Sequence, residues 1–314
     1  MFAGRIAVVS ADTNRVLQII DRRSFFNEIL EAHCDDANEM LCYRDVFYYH
    51  YVYGRNKKGL NKYAYSVNSQ DGEDGILQEL FRRIGTTSKY AVEFGAWDGI
   101  YLNNIRNLVT KNGFSALFIE GVPEKAEVLR NNYKTFPNVR CAEAYVGFRG
   151  DNTLDSILSR NDAPQEIDII SIDVDGCDYH VWQALKKYRP RVIIIEYNPT
   201  VPNEIVCINP ESEDSSTGSS AAALVELARK KRYSLVAVTG SNLVFVVDEE
   251  YNKLQIWNNT LDALMSDTRI RCESKYFHTF DQRLILTGRN RFIWKHGRDS
   301  ENFAKDSDIL FSNL

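Results

Sequence analysis

The sequence predicts an α/β fold: a mostly parallel sheet with an antiparallel last strand and helices on both faces, following a helical N-terminal cap. Three observations carry that expectation. Lys89–Gly99, Lys-Tyr-Ala-Val-Glu-Phe-Gly-Ala-Trp-Asp-Gly, reads as a short buried strand ending in a turn bracketed by Gly95 and Gly99. Glycine at such a junction lets the backbone bend sharply and lets a ligand approach it. From Tyr90 onward, continuous apolar runs alternate with helical patterns, as in a parallel sheet covered on both faces. The last two apolar runs are joined by only Thr239-Gly240-Ser241-Asn242, which permits an antiparallel hairpin and no parallel crossover.

Taken in order, the first strand is Tyr90–Phe94, and Leu102–Lys111 reads as a helix with Leu102, Ile105, Leu108 and Val109 on one face. Strand, glycine turn and helix make the first unit of a Rossmann-like nucleotide-binding fold. Ser115–Glu120 is the second strand, ending in Glu120-Gly121. Pro123 opens a helix that Pro137 closes. Strands follow at Val139–Val146, Ile167–Val174 and Arg191–Glu196, with helices Leu154–Ser159 and Tyr179–Tyr188 between them. After a polar loop, Pro202–Gly218, which reads as a lid or a solvated excursion, come helix Ala221–Lys231 and strands Tyr233–Val238 and Leu243–Val247. Upstream, Ser69–Gly75 is a polar, glycine-punctuated turn before a helix over Ile76–Ile84. Its acids Asp71, Glu73 and Asp74 suit the positive end of that helix.

These patterns divide the chain into a cap at 1–68, a sheet domain at 69–249 and an extension at 250–314 packing on that domain. The cap reads as helical over Phe25–Cys42. Its aromatic stretch Tyr43–Tyr65, interleaved with Arg55, Lys57, Lys58 and Lys62, suits packing on the main domain or on a second copy in a homodimer, or a wall for a ring-bearing ligand. In the extension, Tyr276–Thr287 reads as a strand pair, Arg291–Trp294 as strand-like and Ser300–Ser312 as a tail.

With 44% hydrophobic residues and a net charge of -5 over 314 residues, the chain has an ordinary globular composition, which argues against wholesale wrapping of nucleic acid. No apolar run reaches the roughly 18 residues of a membrane span. Asp12 interrupts the apolar patch Ile6–Val9 too early for a secretory signal, and the six cysteines lack zinc-like spacing, so the chain is read as cytoplasmic with free thiols.

Chemistry concentrates where the strands end. Glu93 with Asp98, Glu120, Glu143, Asp173 with Asp175, and Glu196 with Asn198 recur at equivalent topological positions. Ligands of open α/β sheets sit outside those carboxyl ends. An acid at Glu120 suits the hydroxyls of an adenosine ribose, which NAD and S-adenosylmethionine share. The first turn separates the two. Its spacing is Gly-x-x-x-Gly, with carboxylates at Glu93 and Asp98 that would repel a pyrophosphate and attract the ammonium and sulfonium of S-adenosylmethionine. An NAD-dependent oxidoreductase and a non-catalytic binding protein are the competing readings.

Glu93-Phe94-Gly95-Ala96-Trp97-Asp98-Gly99, Glu120 and the antiparallel last strand resemble class I S-adenosylmethionine-dependent methyltransferases. Ser69-Gln70-Asp71-Gly72-Glu73-Asp74-Gly75, Ile172-Asp173-Val174-Asp175-Gly176 and Ile195-Glu196-Tyr197-Asn198-Pro199 resemble the FkbM-like family more narrowly, over about residues 69–249. One departure is Asp175, where the family usually carries Glu. The resemblance implies a seven-stranded sheet and methyl transfer, often to a hydroxyl of a glycan or natural product. By position, Glu93, Gly95, Asp98 and the adjoining Gly99 would flank the methionine part of the donor. Glu120-Gly121 would hold the ribose, with Glu143 and Ala144 near the adenine. Gln70 and Glu73 would close over the donor, and Asp173 and Asp175 would lie near the transferred methyl. Asp175 and His180 are candidate bases, and Asp173 joins them as a candidate catalytic group. Asp173, Asp175, Glu196 and Asn198 also offer oxygen ligands of the kind Mg²⁺ takes.

Overall fold

The computed structural model describes residues 5–9, 16–21, 59–174, 176–199, 201, 203–212, 218–265, 275–278, 284–287 and 309–312. The chain divides into two units, Met1–Arg55 and Asn56–Leu314. In the first, β1 (Arg5–Val9) and β2 (Val16–Asp21) pair antiparallel. The helix expected over Phe25–Cys42 and most of the aromatic stretch lie outside the described residues.

In the second unit, a 3-10 turn at Gly59–Tyr63 places Leu60 in the core and leads to α1 (Glu73–Ile84). Seven strands then form one sheet in the order β5-β4-β3-β6-β7-β9-β8. They are β3 (Tyr90–Phe94), β4 (Ser115–Glu120), β5 (Val139–Glu143), β6 (Ile169–Ile172), β7 (Val192–Glu196), β8 (Tyr233–Val238) and β9 (Asn242–Val247). All pairings are parallel except those of β9, which lies antiparallel between β7 and β8. Intervening helices are α2 (Arg106–Asn112), α3 (Pro123–Tyr133), α4 (Leu154–Arg160), α5 (Asp178–Ala184) and α6 (Ala221–Lys230), followed by α7 (Asp248–Tyr251) and α8 (Leu261–Met265). A separate three-stranded sheet joins β10 (Lys275–His278), β11 (Leu284–Thr287) and β12 (Ile309–Ser312), so the expected strand pair over Tyr276–Thr287 is present. Arg291–Trp294 lies outside the described residues.

The central strands are buried on both faces, as their unbroken apolar runs require. One face, carrying Phe94, Ile119, Ile170 and Phe245, is covered by α4, α5 and α6 around Trp182. The other, carrying Ala116, Phe118, Ile169 and Ile194, is covered by α1, α2 and α3. No helix among the described residues is long and apolar enough to cross a membrane.

Side chains set the element ends. The helix expected from Leu102 starts at Arg106 instead. Leu102 is left-handed, and the Asn103 side chain accepts from the Arg106 amide at 2.7 Å. At the amino end of β6, Asp168, fully buried, accepts from the amides of Thr87 and Lys89 and pairs with Arg191 at 2.7 Å. Arg191 also caps the carbonyls of Ile84 and Gly85 at the end of α1. Cys177 is buried, Cys141 half-buried and Cys207 exposed, all as free thiols.

Candidate functional site

From β3 the chain runs outward through β4 to β5, then crosses back to place β6 on the other side of β3. The strand order therefore reverses between β3 and β6, and their carboxyl ends form the crevice in which such sheets bind ligands. Gly95 lies there with φ +68°, and a Cβ on it would come 1.9 Å from the Asp173 carbonyl oxygen. Only glycine fits where the β3 turn meets the end of β6.

The acids of the first turn shape it. Glu93, buried, accepts from the amides of Asn104 at 2.9 Å and Ile105 at 3.1 Å. Burial pushes its pKa up to about 8, against the pull of those two amides and with help from the nearby negative charge of Asp74. Glu120, also buried, accepts from the amides of Trp97 at 2.8 Å and Val122 at 2.9 Å. Asp98 accepts from Ile100 and Tyr101, each at 2.8 Å. Each oxygen of Glu93 and Glu120 retains a second lone pair for a ligand, whereas both amides at Asp98 fall on Oδ1. Gly99 is taken up by the fold: a Cβ there would meet Tyr133 at 2.4 Å and Leu129 at 2.6 Å on α3.

Above the turn, one oxygen of buried Asp74, Oδ2, gathers the amides of Val67, Asn68 and Ser69 and the Ser69 hydroxyl, all at 2.7–2.9 Å. The other, Oδ1, is buried with no partner among the described residues, as are Asn104 Oδ1 and Asn103 Nδ2. Asn104 Nδ2 reaches across to Ser171 on β6 at 3.1 Å. Around Glu93 the protein thus leaves two acceptors and one donor unmet. Buried polar atoms are rarely left so without a ligand or water to complete them.

Glu73 lies elsewhere. It is fully buried and accepts from the Asp71 amide, the Thr239 hydroxyl and the Asn242 amide group, which fastens α1 to the β8–β9 turn. Beside it, Asp71 has its pKa raised to about 7 by burial and by the charge of Glu73. The Gln70 side chain is exposed. The expectation that Gln70 and Glu73 cover a donor therefore rests on the loop they belong to, since the Glu73 carboxylate is engaged by the fold itself.

On the β6 side, oxygens of Asp173, Asp178 and Glu196 come within 4.8 Å of one another. Asp178, which sequence patterning did not single out, accepts from the amides of Val174 and Gly176. Its signal was the Asp-Gly-Cys-Asp spacing, an acid poised to cap its own turn. Asp175 lies outside the described residues. His180, which could have been a surface residue on the first turn of its helix, is 5% exposed. Its Nε2 lies 2.8 Å from the Asn209 carbonyl, so the neutral ring carries its proton there and leaves Nδ1 as an acceptor without a partner among the described residues. Asn209 in turn bonds Ser219, and Cys207 bonds Ser220, so this part of the polar loop is fastened down. At the far edge, Glu143 is exposed and pairs with Arg130, Ala144 continues the ladder onto Glu120, and Gly121 backs onto Tyr145. Trp97 and Tyr101 stand partly exposed beside the turn, edge to face at 5.7 Å.

No curated protein matches the chain. Among solved structures, the chain is similar to the citrinin polyketide synthase CMeT domain at 13% identity and TM-score 0.42, over 77% of this chain and 74% of that chain. It is similar to the N-terminal domain of EvdMO1 with SAH bound at 14% identity and TM-score 0.39, over 69% of this chain and 98% of that chain. PigF with SAH is similar at 13% identity and TM-score 0.35, over 55% of this chain and 57% of that chain, so the match spans little more than half of that protein. The family described as the Methyltransferase FkbM domain matches residues 151–234, which take in Asp173, Asp178, His180 and Glu196. Over that segment the chain is similar to the FkbM methyltransferase domain, the family its motifs resemble.

Proposed function

We propose that this protein binds S-adenosylmethionine at the mouth between β3 and β6 and transfers its methyl group to a hydroxyl of a glycan or small natural product. The observation that carries the reading is the unmet polar set around Glu93. Asp74 Oδ1 and Asn104 Oδ1 are acceptors and Asn103 Nδ2 is a donor, all buried. Two acceptors suit an ammonium and one donor suits a carboxylate, the two charged groups of the donor's methionine part. Glu120, with one lone pair free on each oxygen, suits the ribose hydroxyls. The carboxylates of Asp173, Asp178 and Glu196 lie close enough to repel one another, and a neighbouring sulfonium would relieve that repulsion.

The chemistry asks the protein mainly for alignment. The acceptor oxygen forms a bond to the methyl carbon as the carbon–sulfur bond breaks, its electrons leaving on sulfur as a neutral thioether. The hydroxyl proton passes to a base. Asp173 and Asp175 are candidates by position, and His180, with its tautomer set by Asn209, is a third. Asp173, Asp178 and Glu196 also form an oxygen set that fits Mg²⁺, which would lower the pKa of an acceptor hydroxyl.

The test is incubation with S-adenosylmethionine and a metabolite and oligosaccharide extract, read by mass spectrometry for products one methyl heavier. Such a product, lost in Asp173→Asn, supports the reading. Donor binding with no methylated product from any extract would point to a binding protein instead. Loss of turnover on chelation, restored by Mg²⁺, would add the metal.

A further inference from the structure

A second cavity lies away from this mouth. α1 begins beside the β8–β9 turn, where Glu73 is bonded, and its 12 residues carry the chain about 18 Å toward the opposite end of the sheet at 1.5 Å per residue. There Gly59, Lys62, Arg82, Arg83, Lys253, Leu254 and Gln255 line a cavity of about 360 Å³. Four of its lining side chains are cationic. They come from three separate segments, the 3-10 turn before α1, the last turn of α1 and the turn after α7.

The usual explanation for basic residues in a last helical turn is the helix dipole. It does not account for this arrangement. The carbonyls of Ile84 and Gly85 are capped by Arg191, and Lys62 and Lys253 belong to other segments. Nor do counter-ions balance the cavity. A single carboxylate, Glu79, serves both Arg82 and Arg83, at 2.7 and 2.8 Å. Glu250 is shared between Lys253 and Arg191. Lys62 lies 5.0 Å from the Tyr63 ring centroid and has no carboxylate partner among the described residues. Arg83 is built into the wall through the Leu254 carbonyl at 2.6 Å and the Tyr63 hydroxyl. Arg82 places Nε and Nη2 on Glu79, leaving Nη1 uncommitted among the described residues, with its side chain 68% exposed. Guanidinium and ammonium groups converging on one concave space form the donor set that recognises phosphate oxygens.

We propose that this cavity is a phosphate-binding site that takes the phosphomonoester or pyrophosphate group of a ligand, through Lys62, Arg82, Arg83 and Lys253. The volume suits a phosphorylated small molecule rather than a bare ion, being within the range of small-ligand pockets. The proposal stands independently of the methyl-transfer reading, because none of its residues touches the β3–β6 mouth.

The test uses the full chain and inorganic pyrophosphate, titrated calorimetrically at fixed ionic strength, beside flotation with phosphatidylcholine vesicles containing phosphatidic acid. The expected result is saturable pyrophosphate binding that weakens about tenfold or more, about 1.4 kcal/mol or more, in Lys62→Gln/Lys253→Gln. S-adenosylhomocysteine affinity and the melting temperature without ligand should be unchanged in that variant. Vesicle binding that the variant loses, with no free pyrophosphate binding, assigns the same phosphate chemistry to a lipid headgroup. Absence of both, or binding that the variant retains in full, overturns the proposal.

Discussion

At the scale of single residues, the acids of the first turn have two duties. Glu93, Asp98 and Glu120 each accept two backbone amides, so they hold the turn before any ligand arrives. Replacing Glu120 by Ala should weaken S-adenosylhomocysteine binding about tenfold or more and cost about 1–3 kcal/mol of stability, because the Trp97 and Val122 amides lose their acceptor. Calorimetry and urea denaturation measure the two effects. Gly95→Ala should be worse for binding than for folding. Its backbone strain is about 1–2 kcal/mol, but the added methyl would force the turn off the Asp173 carbonyl and close the mouth. Unchanged donor affinity in Gly95→Ala would remove the mouth from the account. The strand-end acids are legible in the sequence because each ends an apolar run. Asp74 Oδ1 and the Asn103 and Asn104 side chains are not. Their importance lies in what they fail to bond, which appears only once their neighbours are placed.

At the scale of elements, Asp74 ties the 66–72 loop to the start of α1, and Asp168 ties β6 to the loop before β3 and to Arg191. Asp74→Asn removes the charge that gathers four donors. It should release the amides of Val67, Asn68 and Ser69 to fast hydrogen exchange while leaving β4 and β6 protected. Asp168→Asn, far from the mouth, should lower stability by about 1.5–3 kcal/mol in urea denaturation, because the Arg191 guanidinium loses its buried carboxylate and keeps Glu250. Strands were legible almost residue for residue where an unbroken apolar run meets a polar end, as in Tyr90–Phe94 and Ser115–Glu120. The start of α2 was not, because Leu102 keeps helical spacing while its backbone is left-handed and Glu93 takes the amides that would begin the helix. Periodicity records which side chains are apolar. It does not record which buried carboxylate claims the first amides.

At the scale of the whole molecule, two acids, Glu93 buried and Asp71 half-buried, set the pH response. Glu93 and Asp71 have pKa values raised to about 8 and about 7, above the ordinary carboxylate range, both by burial first. A raised acid favours the fold while protonated. Its contribution is present below about pH 4 and is lost as pH rises through the folded values. The melting temperature of the ligand-free protein should therefore fall between pH 5.5 and pH 8.5, and Asp71→Asn should flatten part of that slope. A slope of the opposite sign would show that these groups are ionised in the fold. A cationic donor beside Glu93 favours its charged form, so S-adenosylmethionine affinity should rise over the same interval.

The central claim is that the acidic mouth between β3 and β6 accepts a sulfonium nucleoside and rejects a dinucleotide. Calorimetric titration of the full chain with S-adenosylhomocysteine and, separately, with NAD tests it most directly. The account predicts one saturable site for S-adenosylhomocysteine, weakened in Glu120→Ala, for which NAD does not compete. Saturable NAD binding with none from S-adenosylhomocysteine would contradict it.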